Sequence, residues 1–236
     1  APEMPPGALP PSQLPKAGRL RIAAAYYATY VVLGLLLTAI GPSLDALRAQ
    51  SGSSTEAIAL LFTANALGYI AGSLAAGRLY GRIAGHRVLA ASLLILAALT
   101  VSVPGLGSLE LLVVAFALIG IPLGVIDVGG NTLLVWLYRD DVPPYMNALH
   151  LSFGVGAVIG PLVFAWFAVA TENAATTFWL FAALMVPVAI WLARLPSPAS
   201  PVASGSSADP RGVVRRHAWL VGLIAAFFFL HMGGEM

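Results

Sequence analysis

One aspartate stands deep inside a long apolar run, in the stretch Gly124-Val-Ile-Asp127-Val-Gly129-Gly130-Asn131. Asp127 and Asn131 are one helical turn apart, so on a helix they share a face. A carboxylate placed there costs about 2.5–3.5 kcal/mol on insertion scales, so a chain keeps one where it serves a purpose. A desolvated carboxylate is suited to holding a proton; beside neutral oxygen ligands it suits Na+. The opposing reading is a hydrogen bond or ion pair that only ties helices together, and no basic residue sits at matching depth to make that pair. Glu235 is the other acid in an apolar run, four residues after His231 and separated from it by Gly233 and Gly234. His150 lies in Asn147-Ala-Leu-His150-Leu-Ser152, where three polar side chains fall within two turns. Asn65 and Thr38 are polar positions in other apolar runs. Each serves either as a helix-to-helix hydrogen bond or as a further site contact. His150 and His231 are far apart with no cluster of ligands about them, which gives no metal site. Neither a phosphate loop, a nucleophile elbow nor a metalloprotease pattern occurs, so the sequence implies no cofactor and no enzyme.

These residues must be positioned by helices. The chain has 236 residues, 59% apolar and 9% charged, with a mean hydropathy of +0.88. A soluble domain carries about a quarter charged residues. The apolar content excludes disorder over most of the chain, and the absence of cysteine excludes disulfide frameworks. A net charge of +2 supports no nucleic-acid partner. The partners implied are a lipid bilayer and a small-molecule solute. Runs of about 20 apolar residues, enough to cross the hydrocarbon core, fall at 22–44, 57–77, 88–106, 111–137, 149–170 and 176–193, and a seventh begins near Ala218. They must be helices, because backbone in lipid has to satisfy its own hydrogen bonds.

The basic residues give the expected topology. Lys16, Arg19 and Arg21 precede the first span. Arg78, Arg82 and Arg87 lie in the second connection, Arg139 in the fourth, and Arg194, Arg211, Arg215 and Arg216 after the sixth. Every basic residue but Arg48 therefore falls on one side, which the positive-inside rule assigns, with the N-terminus, to the cytoplasm of a multi-pass cell-membrane protein. Tyr26, Tyr27, Trp136, Tyr138 and Trp219 fit an interfacial aromatic belt. Residues 1–18 are Pro-rich and read as a disordered cytoplasmic tail. Residues 196–216 read as a cytoplasmic linker, which separates a six-helix unit at 19–195 from the start of a seventh helix at 217–236. Glycines at four-residue spacing recur in the second and fifth spans (Gly68 and Gly72; Gly156 and Gly160), a spacing that lets helices approach closely. Gly124, Gly129, Gly130 and Pro122 are expected to loosen the fourth span around Asp127.

The second connection, Gly77-Arg78-Leu-Tyr80-Gly81-Arg82-Ile-Ala-Gly85-His86-Arg87, resembles the signature loop between the second and third helices of the major facilitator superfamily. It departs from the pattern at Gly81, where the family usually has an acid, and by one residue before Gly85 and Arg87. The stretches Gly120-Ile-Pro-Leu-Gly124-Val-Ile-Asp127-Val-Gly-Gly-Asn131 and Met146-Asn147-Ala-Leu-His150-Leu-Ser152-Phe-Gly154-Val-Gly156 are similar to the fucose/galactose/glucose symporter branch, closest to its sodium-dependent glucose transporter 1-like members. The resemblance implies an all-α membrane protein with the superfamily fold, here an N-terminal six-helix bundle plus the start of helix seven. It implies a secondary active transporter of a small polar solute, a sugar, working by alternating access coupled to H+ or Na+. The branch places an acid in its fourth helix, which Asp127 matches; in the first helix this chain offers Thr38 where the fucose permease has an acid. Glycines at a sharp turn with interleaved arginines suit a cytoplasmic gate at Gly77, Arg78, Arg82, Gly85 and Arg87; the opposing reading is a topology signal alone. The substrate and ion set is Asp127, Asn131, His150, Asn147, Asn65, Thr38, His231 and Glu235. A second reading stays open: Gly154-Val-Gly156-Ala-Val-Ile-Gly160-Pro161 resembles the fifth-helix signature of drug and metabolite efflux antiporters.

Overall fold

The computed structural model describes residues 8–9, 14–171 and 173–199, together with Trp219 and Leu223. Apart from Trp219 and Leu223, the seventh span, with His231 and Glu235, lies outside the described residues, as does most of the linker. The described residues up to Ala199 form one compact unit.

Six long helices build it: α1 (Lys16–Ser51), α3 (Leu60–Tyr80), α4 (Gly85–Ser102), α5 (Leu109–Tyr138), α6 (Val142–Thr171) and α7 (Ala175–Ala193), with a single turn, α2 (Thr55–Ile58), before α3. The apolar run from Leu109 to Thr171 has 63 residues. As one helix it would extend about 95 Å, three times the hydrocarbon thickness. It breaks at Arg139, whose φ of 51° is the sole positive value at a described non-glycine residue, and the charged turn Arg139–Asp141 separates α5 from α6. The helices overrun the predicted spans. The first begins at Lys16 rather than Ile22, and the fifth at Val142 rather than Leu149. The first ends where Gly52, at φ 63°, takes the left-handed cap position that favours glycine.

Side-chain contacts fix which ends lie together. His86 at the start of α4 meets Tyr26 near the start of α1 and Leu195 just after α7. Arg19 at the start of α1 lies over the Tyr138 ring at the end of α5, 5.8 Å from its centroid. At the other end, Gln50 of α1 donates to the carbonyls of Val103 and Leu106 beyond α4. The structure thus gathers Arg19, Arg87, Arg139 and Arg194 at one end. Arg48 stands at the opposite end, beside Asp45.

The glycines decide the packing. The most extensive contacts are α3 with α5, α1 with α6, and α4 with α7. In the first seam a Cβ at Gly68 would overlap the Ala117 carbonyl, one at Gly72 that of Ile121, and ones at Gly120 and Gly124 those of Asn65 and Tyr69. In the second, Gly34 faces the Phe153 carbonyl, Gly156 faces Val31, and Gly160 faces Leu35 and Thr38. An inverted repeat that relates the first three spans to the last three carries the α3–α5 pair onto the α6–α1 pair and leaves α4–α7 in place. The structure has this pattern. The glycine pairs of the second and fifth spans are equivalent positions of the repeat, and each meets a small-residue pair on its partner (Gly120 and Gly124; Gly34 and Thr38).

One expectation changes here. Tyr26 is fully buried, not interfacial, and its hydroxyl lies 2.7 Å from His86 Nε2. The Leu195 carbonyl, 3.0 Å from His86 Nδ1, can only accept, so in the neutral ring Nδ1 carries the hydrogen and Nε2 accepts from Tyr26. The Ser197 hydroxyl accepts the His86 amide. Ala8 and Leu9 pair in parallel with Ser197 and Pro198, just beyond α7. Tyr26→Phe removes the donor and leaves a buried imidazole nitrogen unpaired. The expected loss is about 1–3 kcal/mol, read by thermal unfolding of the purified protein in detergent.

Candidate functional site

Asp127 lies on an unbroken stretch of α5. Pro122, Gly124, Gly129 and Gly130 do not interrupt the helix, contrary to the expectation of a loosened segment. The two glycines that follow the acid, Gly129 and Gly130, instead make room for aromatic rings. A Cβ at Gly130 would overlap the Tyr30 ring, and one at Gly129 would overlap the Tyr80 hydroxyl. Two tyrosines, from α1 and α3, thus lie flush against α5 beside the acid. Tyr80 donates to the Val125 carbonyl at 3.0 Å.

Tyr30 reaches further. Its hydroxyl lies 2.7 Å from the Asp127 carbonyl oxygen and 3.0 Å from Asp127 Oδ1. Tyr69, from α3, donates to Asp127 Oδ2 at 2.5 Å. Asn131 Nδ2 donates to Tyr30 Oη at 2.8 Å and to the Asp127 carbonyl at 2.9 Å, with Asp127 Oδ1 at 3.4 Å. The His150 ring meets the Tyr30 ring edge-on, with centroids 6.5 Å apart. Four spans therefore converge: α1, α3, α5 and α6. Asp127, Asn131 and Tyr69 are partly exposed, Tyr30 is buried and His150 is exposed. Hydrogen bonds to a charged acceptor contribute about 1.5–3 kcal/mol each, so this carboxylate is firmly held.

The remaining sequence-based candidates divide. Asn147 is exposed one turn before His150 on α6. Asn65 is buried in the α3–α5 seam, donating to the Phe116 carbonyl at 3.3 Å, and stands apart from the Asp127 cluster. The Thr38 hydroxyl donates to Gly34 of its own helix at 2.7 Å, where α6 crosses at Gly160. Both lie at helix crossings in this unit, and the Ser152 hydroxyl turns back to the Ala148 carbonyl. His231 and Glu235 lie outside the described residues. In the predicted gate, Arg78, Arg82 and Arg87 are exposed, and among the described residues the one ion pair is Arg48 with Asp45. Gly85 allows α4 to approach Leu133 of α5, whereas Gly77 has open space around it. A recess of about 520 Å³ opens at the arginine-bearing end, lined by Lys16, Arg19, Tyr138, Asp140 and Tyr145 among others. None of Tyr30, Tyr69, Asp127 or Asn131 lines it.

Sequence alone does not single out Tyr30 and Tyr69, because a tyrosine in an apolar run reads as packing or interface. Gly130 is the available signal, since a glycine beside an acid on a helix can mark a ring seated there.

A model of the Major Facilitator Superfamily matches residues 26–235. The chain belongs to this superfamily. It is a transporter-family chain, and its six helices are the N-terminal part of the superfamily fold. The sodium-dependent glucose transporter 1A of Mus musculus is 31% identical over 149 residues, 62% of this chain and 35% of that protein. The sodium-dependent glucose transporter 1 of Homo sapiens is 32% identical over 139 residues, 58% of this chain and 26% of that protein. The major facilitator superfamily domain-containing protein 4A of Mus musculus is 30% identical over 146 residues, 61% of this chain and 28% of that protein. The aligned segments thus span about a third or less of these relatives.

Proposed function

We propose that the full-length protein is a secondary active transporter. It carries a small polar solute, a sugar, across the cell membrane by alternating access, driven by H+ or Na+, with the arginine-bearing end in the cytoplasm. The observation that carries this reading is the Asp127 carboxylate held by Tyr30, Tyr69 and Asn131 from three helices. An ion or solute bound there acts on α1, α3 and α5 together. Coupling requires such a link, because a ligand shifts a conformational equilibrium only through its different affinity for the two states. Two relatives are named for sodium-dependent glucose transport, which supports both solute and ion. In this reading Asp127 binds the coupling cation or the sugar hydroxyls, with Asn131, His150 and Asn147 beside it, and Arg78, Arg82 and Arg87 serve the cytoplasmic gate.

The test is uptake of labelled hexoses into proteoliposomes holding the full-length carrier. An inward Na+ or H+ gradient is imposed separately in each arm. Concentrative uptake in one arm and only equilibration without a gradient is the expected outcome. Hexose uptake absent under both gradients rejects the sugar assignment.

A further inference from the structure

Away from Asp127, the recess of about 520 Å³ at the arginine-bearing end gathers both signs of charge. Lys16 and Arg19 line it from α1, and Asp140 and Asp141 from the turn after α5. A second recess, of about 460 Å³, shares Arg19, Tyr138, Asp140 and Asp141 with the first and adds Arg139. None of these charges pairs with another, since the one ion pair among the described residues is Arg48 with Asp45. A topology signal needs only the positive charges. It does not need two acids gathered beside them and kept apart. None of Arg78, Arg82 or Arg87 lines either recess.

The wall also holds polar atoms that are not satisfied. Tyr138 lines both recesses, is 6% exposed, and its hydroxyl has no hydrogen-bond partner among the described residues. Arg19 Nε is buried without a partner as well. The Arg19 guanidinium lies 5.8 Å from the centroid of the Tyr138 ring, and Tyr145 stacks on that ring at 3.5 Å. Buried polar groups are paired as a rule. Two donors beside a charged recess call for an anionic group, and a guanidinium is well matched to phosphate. The two acids call for a positive group next to it.

The level is that of lipid headgroups. Leu20 lines the first recess just before the first apolar run and is about half exposed. It stands one turn from Lys16, on the same face of α1. Tyr138 stands where the fourth apolar run ends. Apolar contact on the span side and charge on the outer side fit an amphiphile at the membrane surface.

We propose that this recess binds the headgroup of a zwitterionic phospholipid that carries a primary ammonium. Lys16 and Arg19 take its phosphate, with the Tyr138 hydroxyl as a further donor. Asp140 and Asp141 take the ammonium, and Leu20 meets the start of the acyl chains. Basic residues alone would favour an anionic lipid; the acids turn the choice to a zwitterion. A quaternary ammonium has no hydrogen to donate to them, and an anionic headgroup brings them no positive charge. This site is separate from whatever solute or ion binds at Asp127.

The test uses the full-length carrier, stripped of lipid in detergent. Phosphatidylethanolamine, phosphatidylcholine and phosphatidylglycerol with the same acyl chains are titrated, with free phosphoethanolamine as the soluble arm. Protection against thermal unfolding reads binding. Phosphatidylethanolamine is expected to bind about 10-fold more tightly than either other lipid. Replacing both acids, Asp140→Asn with Asp141→Asn, brings it to within about two-fold of phosphatidylcholine. That ratio compares two lipids on one protein, so a change in the variant's own stability cancels. Lys16→Gln with Arg19→Gln weakens both of these lipids by about 10-fold. Phosphatidylglycerol or phosphatidylcholine binding as tightly as phosphatidylethanolamine overturns the proposal, and this panel on the unaltered carrier decides even where a variant does not fold. A preference that survives the two Asn substitutions overturns it too, as do lipid affinities that survive the two Gln substitutions. Free phosphoethanolamine protecting as well as the lipid overturns the assignment to a lipid.

Discussion

Asp127→Asn in the full-length carrier is expected to abolish accumulation against a gradient while leaving exchange of solute across the membrane. The geometry makes this a charge test and not a shape test. Oδ1 faces both Tyr30 and Asn131, so the amide oxygen of the variant takes that position. The amide nitrogen then falls at Oδ2, where Tyr69 alone has to turn its hydroxyl from donating to accepting. The helices stay tied and the negative charge is gone. A tenfold concentration ratio needs about 1.4 kcal/mol from the coupling ion. Without the charge that binds the ion, uptake runs only to equilibration. Gradient-driven uptake and counterflow in proteoliposomes separate the two effects. Uptake unchanged by the substitution removes Asp127 from coupling.

A second large effect is expected on folding. Gly68→Val places two methyls and a Cβ against the Ala117 carbonyl and the Gly120 Cα. Those are helix backbone atoms and cannot rotate aside, so α3 and α5 must separate along the whole seam. Overpacked side chains cost about 1–3 kcal/mol where neighbours can move. Here the cost reaches or exceeds the upper end, and little folded protein is expected after membrane extraction. The repeat predicts the same for Gly156→Val against the Val31 carbonyl. Gly77→Ala is the control. Nothing lies within 4 Å of its Cβ position, and alanine favours a helix over glycine by up to about 1 kcal/mol. Size-exclusion recovery and thermal unfolding report all three. A well-folded Gly68→Val would mean that the α3–α5 crossing is looser than its geometry.

The six spans of the described unit, and the acid within the fourth, were legible in the sequence for one reason. Transfer into hydrocarbon depends on the composition of each segment alone, so a run of apolar residues declares itself and a charge within it stands out. Arginine placement was readable on the same terms, and the structure brings Arg19, Arg87, Arg139 and Arg194 to one end. The partners were not readable. Tyr30 and Tyr69 lie 97 and 58 residues from Asp127, and what selects them is the crossing of α1 and α3 with α5. Asn65 and Thr38 carry the same polar groups as a site residue would, yet the crossings turn them into the helix seams.

The sequence by itself determined that this chain is a bundle of membrane-crossing helices with an acid in the fourth span. Hydropathy and charge cost act locally and leave their mark residue by residue. Only the tertiary structure decided what the acid touches, and that Gly68 and Gly72 meet Gly120 and Gly124 as Gly156 and Gly160 meet Gly34 and Thr38. It also placed His86 as the clasp between α1, α4 and the chain beyond α7. Those facts depend on which helix faces are apposed, and close backbone packing sets that choice across distances in sequence that no local pattern spans.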